Sequence, residues 1–145
     1  MVDSIYAVID TNVLVSALLS TTNDTPPFTV LANVFAGVIT PVYNKDIINE
    51  YREVLKREKF HLDPVDIEDV LNVIIQYGLN LERTEVREEM FTDPKDIIFY
   101  EVKMSKEDAY LVTGNIRHFP LQPYVVTPRE MLTILENGGM ILHGE

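Results

Sequence analysis

Cysteine is absent from the 145-residue chain, which excludes disulfides and thiolate chemistry. Basic side chains are scarce. Twelve Lys and Arg stand against 23 Asp and Glu, and the resulting charge of −11 opposes phosphate backbones at long range. Indiscriminate nucleic-acid binding is therefore not expected, whereas a bound cation or a basic partner suits the balance. No repeat or low-complexity tract breaks the chain, so disorder is not expected either. The uncharged span 28–43 is shorter than the ~20 apolar residues a membrane crossing needs, and it holds Asn33, Gly37 and Pro41. The start, Met1-Val2-Asp3-Ser4, lacks a basic n-region, so no signal peptide and a cytoplasmic location are expected.

What is present is ordinary globular composition, 46% hydrophobic and 24% charged, enough to bury the core of a single domain over residues 1–145. The organising stretch is Ile5-Tyr6-Ala7-Val8-Ile9-Asp10-Thr11-Asn12, an apolar run ending in a carboxylate, after which Val13 to Leu19 turn helical. Asp10 thus stands at the carboxyl end of a strand, the edge where ligands bind in open α/β sheets.

A polar loop with Pro26 and Pro27 precedes a nearly all-apolar helix over 28–36, which Gly37 ends. A strand is predicted over 38–42 with Pro41 at its exit. Asn44 or Asp46 caps a helix whose apolar stripe is Ile47, Ile48, Tyr51, Val54 and Leu55. Asp63-Pro64-Val65-Asp66 opens another helix, closed by Gly78. Residues 79–89 read as irregular, with a short strand at 79–81. The same opening signature recurs in Asp93-Pro94-Lys95-Asp96, before a helix over 97–102. Strands over 109–113 and 124–126 follow, and a capping box, Thr127-Pro128-Arg129-Glu130, opens a last helix that stops at Asn137-Gly138-Gly139. Alternating strands and helices predict a three-layer α/β/α fold around a central parallel sheet.

Four oxygen-bearing side chains fall where they can converge on one edge: Asp10, Glu50, Asp96 and Asn115. Asp10 alone reads as a helix cap, Asp93 reads as a cap by analogy with Asp63, and Asp96 can complement a helix dipole. Glu50 lies on the shoulder of an apolar stripe with no cation three or four residues away. Gathered carboxylates repel one another unless a divalent cation sits among them, and all-oxygen ligands favour Mg²⁺ or Mn²⁺ over zinc. Such a site suits phosphodiester hydrolysis. His61, His143 and Asp108 read as surface residues, while His118 stands where it can reach a phosphate. The face carrying Arg52, Lys56 and Lys59 is first a solvated helix side and only secondarily an RNA track.

The segments 8–17, 50–55, 93–96 and 110–115, followed by Val126-Thr127-Pro128-Arg129-Glu130, resemble in order the motifs of PIN-domain proteins, most closely the branch of toxins from toxin-antitoxin pairs. The resemblance implies a Mg²⁺- or Mn²⁺-dependent ribonuclease of PIN-like fold, often a homodimer and often silenced by a small basic antitoxin. It places the metal site at Asp10, Glu50 and Asp96, with Asn115 as a fourth ligand, Asp93 close by, and Thr11, Asn12 and Thr113 in support. Family members commonly carry aspartate where Asn115 stands. An amide oxygen can ligate a hard cation but brings no charge, which implies one ion in the free protein and a second only with substrate phosphate. The alternative is a catalytically degenerate PIN domain that binds protein or RNA. A phosphatase built on Asp10 fits less well, because the aspartate it would want two residues on is Asn12. The two apolar helices also predict homodimerisation.

Overall fold

A computed structural model of the chain describes residues 4–87, 91 and 93–138. Strand β1 (Ile5–Ile9) runs through the middle of a five-stranded parallel sheet in the order β3-β2-β1-β4-β5, where β2 is Ile39–Tyr43, β3 Leu79–Asn80, β4 Tyr110–Val112 and β5 Val125–Val126. A parallel sheet must be covered on both faces. Helices α1 (Thr11–Leu19), α2 (Pro26–Phe35) and α6 (Pro128–Glu136) pack together as one layer, and α3 (Lys45–Leu55), α4 (Pro64–Tyr77) and α5 (Pro94–Met104) as the other. This is the three-layer α/β/α architecture the pattern predicts. Burial on both faces also explains why β1 and β4 are apolar without alternation: Ala7, Val8, Leu111 and Val112 are wholly buried.

The winding sets the functional edge. From β1 the chain adds β2 and β3 on one side, then returns to add β4 and β5 on the other. The order reverses between β1 and β4, and at such a switch point the loops leave in opposite directions and open a crevice. Ile9 lies opposite Val112, and the Asp10 amide donates to the Val112 carbonyl at 2.9 Å, so Asp10 and Thr113 leave the sheet together.

Two prolines depart from expectation. Pro26 and Pro27 belong to the first turn of α2, with Thr25 as its cap, because proline's fixed φ and missing donor suit a helix start. Pro41 lies inside β2, opposite Ala7, rather than at its exit. Tyr43, two residues on, accepts from Leu81, so Pro41 turns its backbone toward the same side, where β3 has not yet begun. No ladder donor is missed there.

Other boundaries move by a few residues. Helix α5 extends over Pro94–Met104, β3 is shorter than the strand predicted at 79–81, β4 lies within 109–113, and β5 within 124–126. Gly37, with φ of +80°, ends α2 as expected: its amide reaches Val34 and that of Val38 reaches Asn33. Gly139, His143 and the end of the 79–89 stretch lie outside the described residues. Most apolar residues of α1 and α2 turn inward, leaving Leu19 and Phe35 exposed, with Val38 just beyond. Among the described residues no helix is long and apolar enough to cross a membrane.

Candidate functional site

Asp10 occupies the N-cap position of α1, yet its carboxylate makes no cap bond to the helix. It accepts instead from Thr113 Oγ1 at 2.8 Å and from Asn12 Nδ2 at 3.1 Å, and it is only 6% exposed. The capping reading of Asp10 alone is thereby overturned. Thr113, fully buried, also takes the Asn115 amide on its hydroxyl at 2.9 Å, and Asn12 Oδ1 takes the Gly114 amide at 3.0 Å. The exits of β1 and β4 are thus laced together around one carboxylate. Burial pushes the Asp10 carboxyl above its ordinary value, against the opposing pull of the Thr113 hydroxyl, the Thr11 amide, His118 and Asn12.

Helix α3 is fixed to the same point by Tyr51. Its buried hydroxyl donates to the Ile9 carbonyl, and burial together with the Asp10 charge holds its proton on. That bond anchors the helix that carries Glu50 next in sequence. Glu50 is half-buried, and no hydrogen bond or ion pair holds its carboxylate among the described residues.

Helix α5 supplies Asp93 and Asp96. Asp93 caps it, accepting the Lys95 amide at 3.0 Å, as Asp63 does for Val65 at 2.9 Å on α4. Asp96 lies in the first turn, 9% exposed, and its Oδ2 is buried with no hydrogen-bond partner. His118 Nδ1 stands 3.5 Å from that oxygen, within ion-pair range but outside hydrogen-bond geometry. The Asp96 carboxyl is pushed up to about 6, by burial first and then by the Asp10 charge; His118 opposes the shift, while Asp93 and Glu50 add to it.

These side chains share a cleft of about 320 Å³, lined by Asp10, Thr11, Asn12, Glu50, Asp93, Asp96, Asn115 and His118. All four proposed metal-site residues therefore reach one crevice. Among the described residues, however, no group of three acidic or histidine side chains stands placed to hold an ion. The donor set is all-oxygen, the Asp96 oxygen is orphaned, and Thr11 Oγ1 is a second buried oxygen without a partner. Such a set fits Mg²⁺ or Mn²⁺, which take carboxylate, amide and water oxygens.

Sequence reasoning missed Val54, Arg57 and Phe99 as cleft residues and saw Lys95 only as part of a motif. Helical spacing from Glu50 gave no reliable signal for Arg57, because α3 ends at Leu55 and Arg57 is already extended. The face of Arg52, Lys56 and Lys59, read first as a solvated helix side, carries surface pairs: Arg52 and Lys56 meet Glu68 at 3.3 and 4.0 Å, and Lys59 lies over the Phe60 ring. His61 and Asp108 are exposed, as expected.

A family model described as PIN domain matches residues 6–117. No curated protein and no solved structure matches the chain.

Proposed function

The chain belongs to the PIN-domain family, a family of nucleases, and on that premise we propose that it is a Mg²⁺- or Mn²⁺-dependent endoribonuclease acting on single-stranded RNA. The observation that carries the reading is Asp96: a buried carboxylate with one orphaned oxygen, in the same cleft as Asp10 and Glu50. Leaving such a group unpaired is costly unless a cation or proton joins it. Asp10, Glu50 and Asp96 would hold the ion, with Asn115 contributing a neutral oxygen. When bound, the ion would activate the attacking water and offset the charge that grows on the scissile phosphate.

The chain's own residues do the positioning. Thr113 and Asn12 fix the Asp10 carboxylate, and Tyr51 holds the Glu50 helix against the end of β1. His118, half-exposed, lines the cleft with its imidazole Nδ1 3.5 Å from Asp96 and would be free to meet a substrate phosphate. Replacing Asp10 by Asn should abolish Mg²⁺-dependent cleavage of a single-stranded RNA, a loss of at least about 100-fold. Cleavage that survives unchanged refutes the assignment.

Asn115, and carboxylates not drawn into an ion-holding group, favour a second reading, a degenerate PIN domain that binds a partner and cuts nothing. Calorimetry with Mn²⁺ separates the two. One-to-one binding that disappears in Glu50→Gln supports the nuclease, and no heat in either protein supports the binder. Within the nuclease reading, we assign the chain as the cytoplasmic toxin of a toxin-antitoxin pair. A basic antitoxin segment would place a cation among the carboxylates, and a homodimer would cover exposed Phe35 and Val38. Light scattering that finds only 16.6 kDa particles at micromolar concentration removes the dimer.

A further inference from the structure

Several of the twelve cations in this chain are engaged. Arg52 and Lys56 meet Glu68, Arg83 bridges Asp46 and Glu101, Lys103 donates to the carbonyls of Lys106 and Glu107, and Lys106 meets Asp108. Lys45, Arg117 and Arg129 have no such partner among the described residues, and neither do Arg57 and Lys95, which differ from them in their place. Both side chains are exposed, and among the described residues neither makes a hydrogen bond or ion pair, although acids outnumber bases 23 to 12. Both line the carboxylate cleft, Arg57 from just beyond the end of α3 and Lys95 from the first turn of α5.

An RNA phosphate approaching this protein meets net repulsion, sharpest at a cleft holding Asp10, Glu50, Asp93 and Asp96. One divalent ion offsets half of that local charge, and two rim cations offset the rest. Arg57 can take two phosphate oxygens at once with its planar fork, and Lys95 acts as a point charge. Phe99, the phenyl ring in the lining, is buried, so it offers a base no stacking platform. The two rim cations then offer the phosphates the strongest holds in the cleft.

We propose that Arg57 and Lys95 are the substrate-binding residues of the cleft, holding RNA backbone phosphates adjacent to the scissile one. The proposal rests on the nuclease reading and extends it to how the substrate is recognised. Helix α3 then gives Glu50 to the ion, and Arg57, just past its C-terminal end, meets the strand.

The test uses the full chain and a fluorescein-labelled single-stranded RNA of mixed sequence, with Ca²⁺ replacing Mg²⁺ to suppress cleavage. Anisotropy titrations across a salt series give the slope of log Kd against log salt. In the double variant Arg57→Met, Lys95→Met that slope should shrink by about 1.4, roughly 0.7 per lost phosphate contact, with binding weakened about tenfold or more at low salt. Both positions are exposed, so the variant should fold, and calorimetry should show Mn²⁺ bound as in the parent. Lys106→Met, altering a cation that precedes β4 at the opposite edge of the sheet, should leave the slope alone. An unchanged slope in the double variant overturns the proposal while leaving the Mn²⁺ site standing. Loss of Mn²⁺ binding in the unsubstituted chain strikes the nuclease reading instead.

Discussion

Asp96 carries the clearest consequence at the residue scale, because its carboxyl is pushed up to about 6 by burial and by the Asp10 charge, from an ordinary value near 3.8. Below about pH 4 both folded and unfolded chains hold the proton. Between about 4 and 6 the unfolded chain gives it up first, so the folded state binds more protons and stability falls as pH rises through that window. Above it the penalty is fully present. Asp96→Asn should therefore stabilise the ion-free protein at pH 7 by about 1–2 kcal/mol, less than the full shift implies because solvent at the cleft mouth screens part of it. At pH 4 it should change little. Thermal melts in EDTA at the two pH values check this, and equal destabilisation at both would contradict the electrostatic account. With Mn²⁺ added the order reverses, since only the parent gains stability from binding.

Elements show what the sequence makes legible and what it hides. Asp63-Pro64 and Asp93-Pro94 were readable as helix starts because cap and proline act within one turn, and both aspartates do accept the expected amide. Pro26 and Pro27 obey the same local rule, but a proline pair at the end of a polar run reads equally well as loop. Pro41 was not readable at all, because its tolerance depends on how early β3 begins, a fact set nearly 40 residues downstream. In the site, Asp10 stood out as a strand end, while the loss of its capping role to Thr113, 103 residues away, is a tertiary choice. Gly78 combines both kinds of information: it closes α4, as its position suggested, but it is required for space. A Cβ there would stand 2.3 Å from the Ile74 carbonyl oxygen and 2.5 Å from that of Pro41, both backbone atoms that cannot swing aside. Gly78→Ala should cost about 1–3 kcal/mol, seen as a lower urea midpoint; an unchanged midpoint would mean that α4 and β2 separate more easily than their packing indicates.

Across the whole molecule, the sheet order converts distant segments into one acidic crevice. Reversal of winding between β1 and β4 opens the gap, α3 and α5 bring Glu50 and Asp96 to it, and the lacing of Asp10 by Thr113 and Asn12 sets its floor. The excess of acid that argued against general nucleic-acid binding has its sharpest local expression here, which is why a cation is central to the account. A crystal soaked in Mn²⁺ and measured for anomalous scattering tests this most directly. The account predicts one peak in the cleft, about 2.1 Å from carboxylate oxygens of Asp10 and Asp96 and within ligand reach of Glu50. No peak there, or an ion bound elsewhere with Glu50 turned away from Asp10, would contradict it.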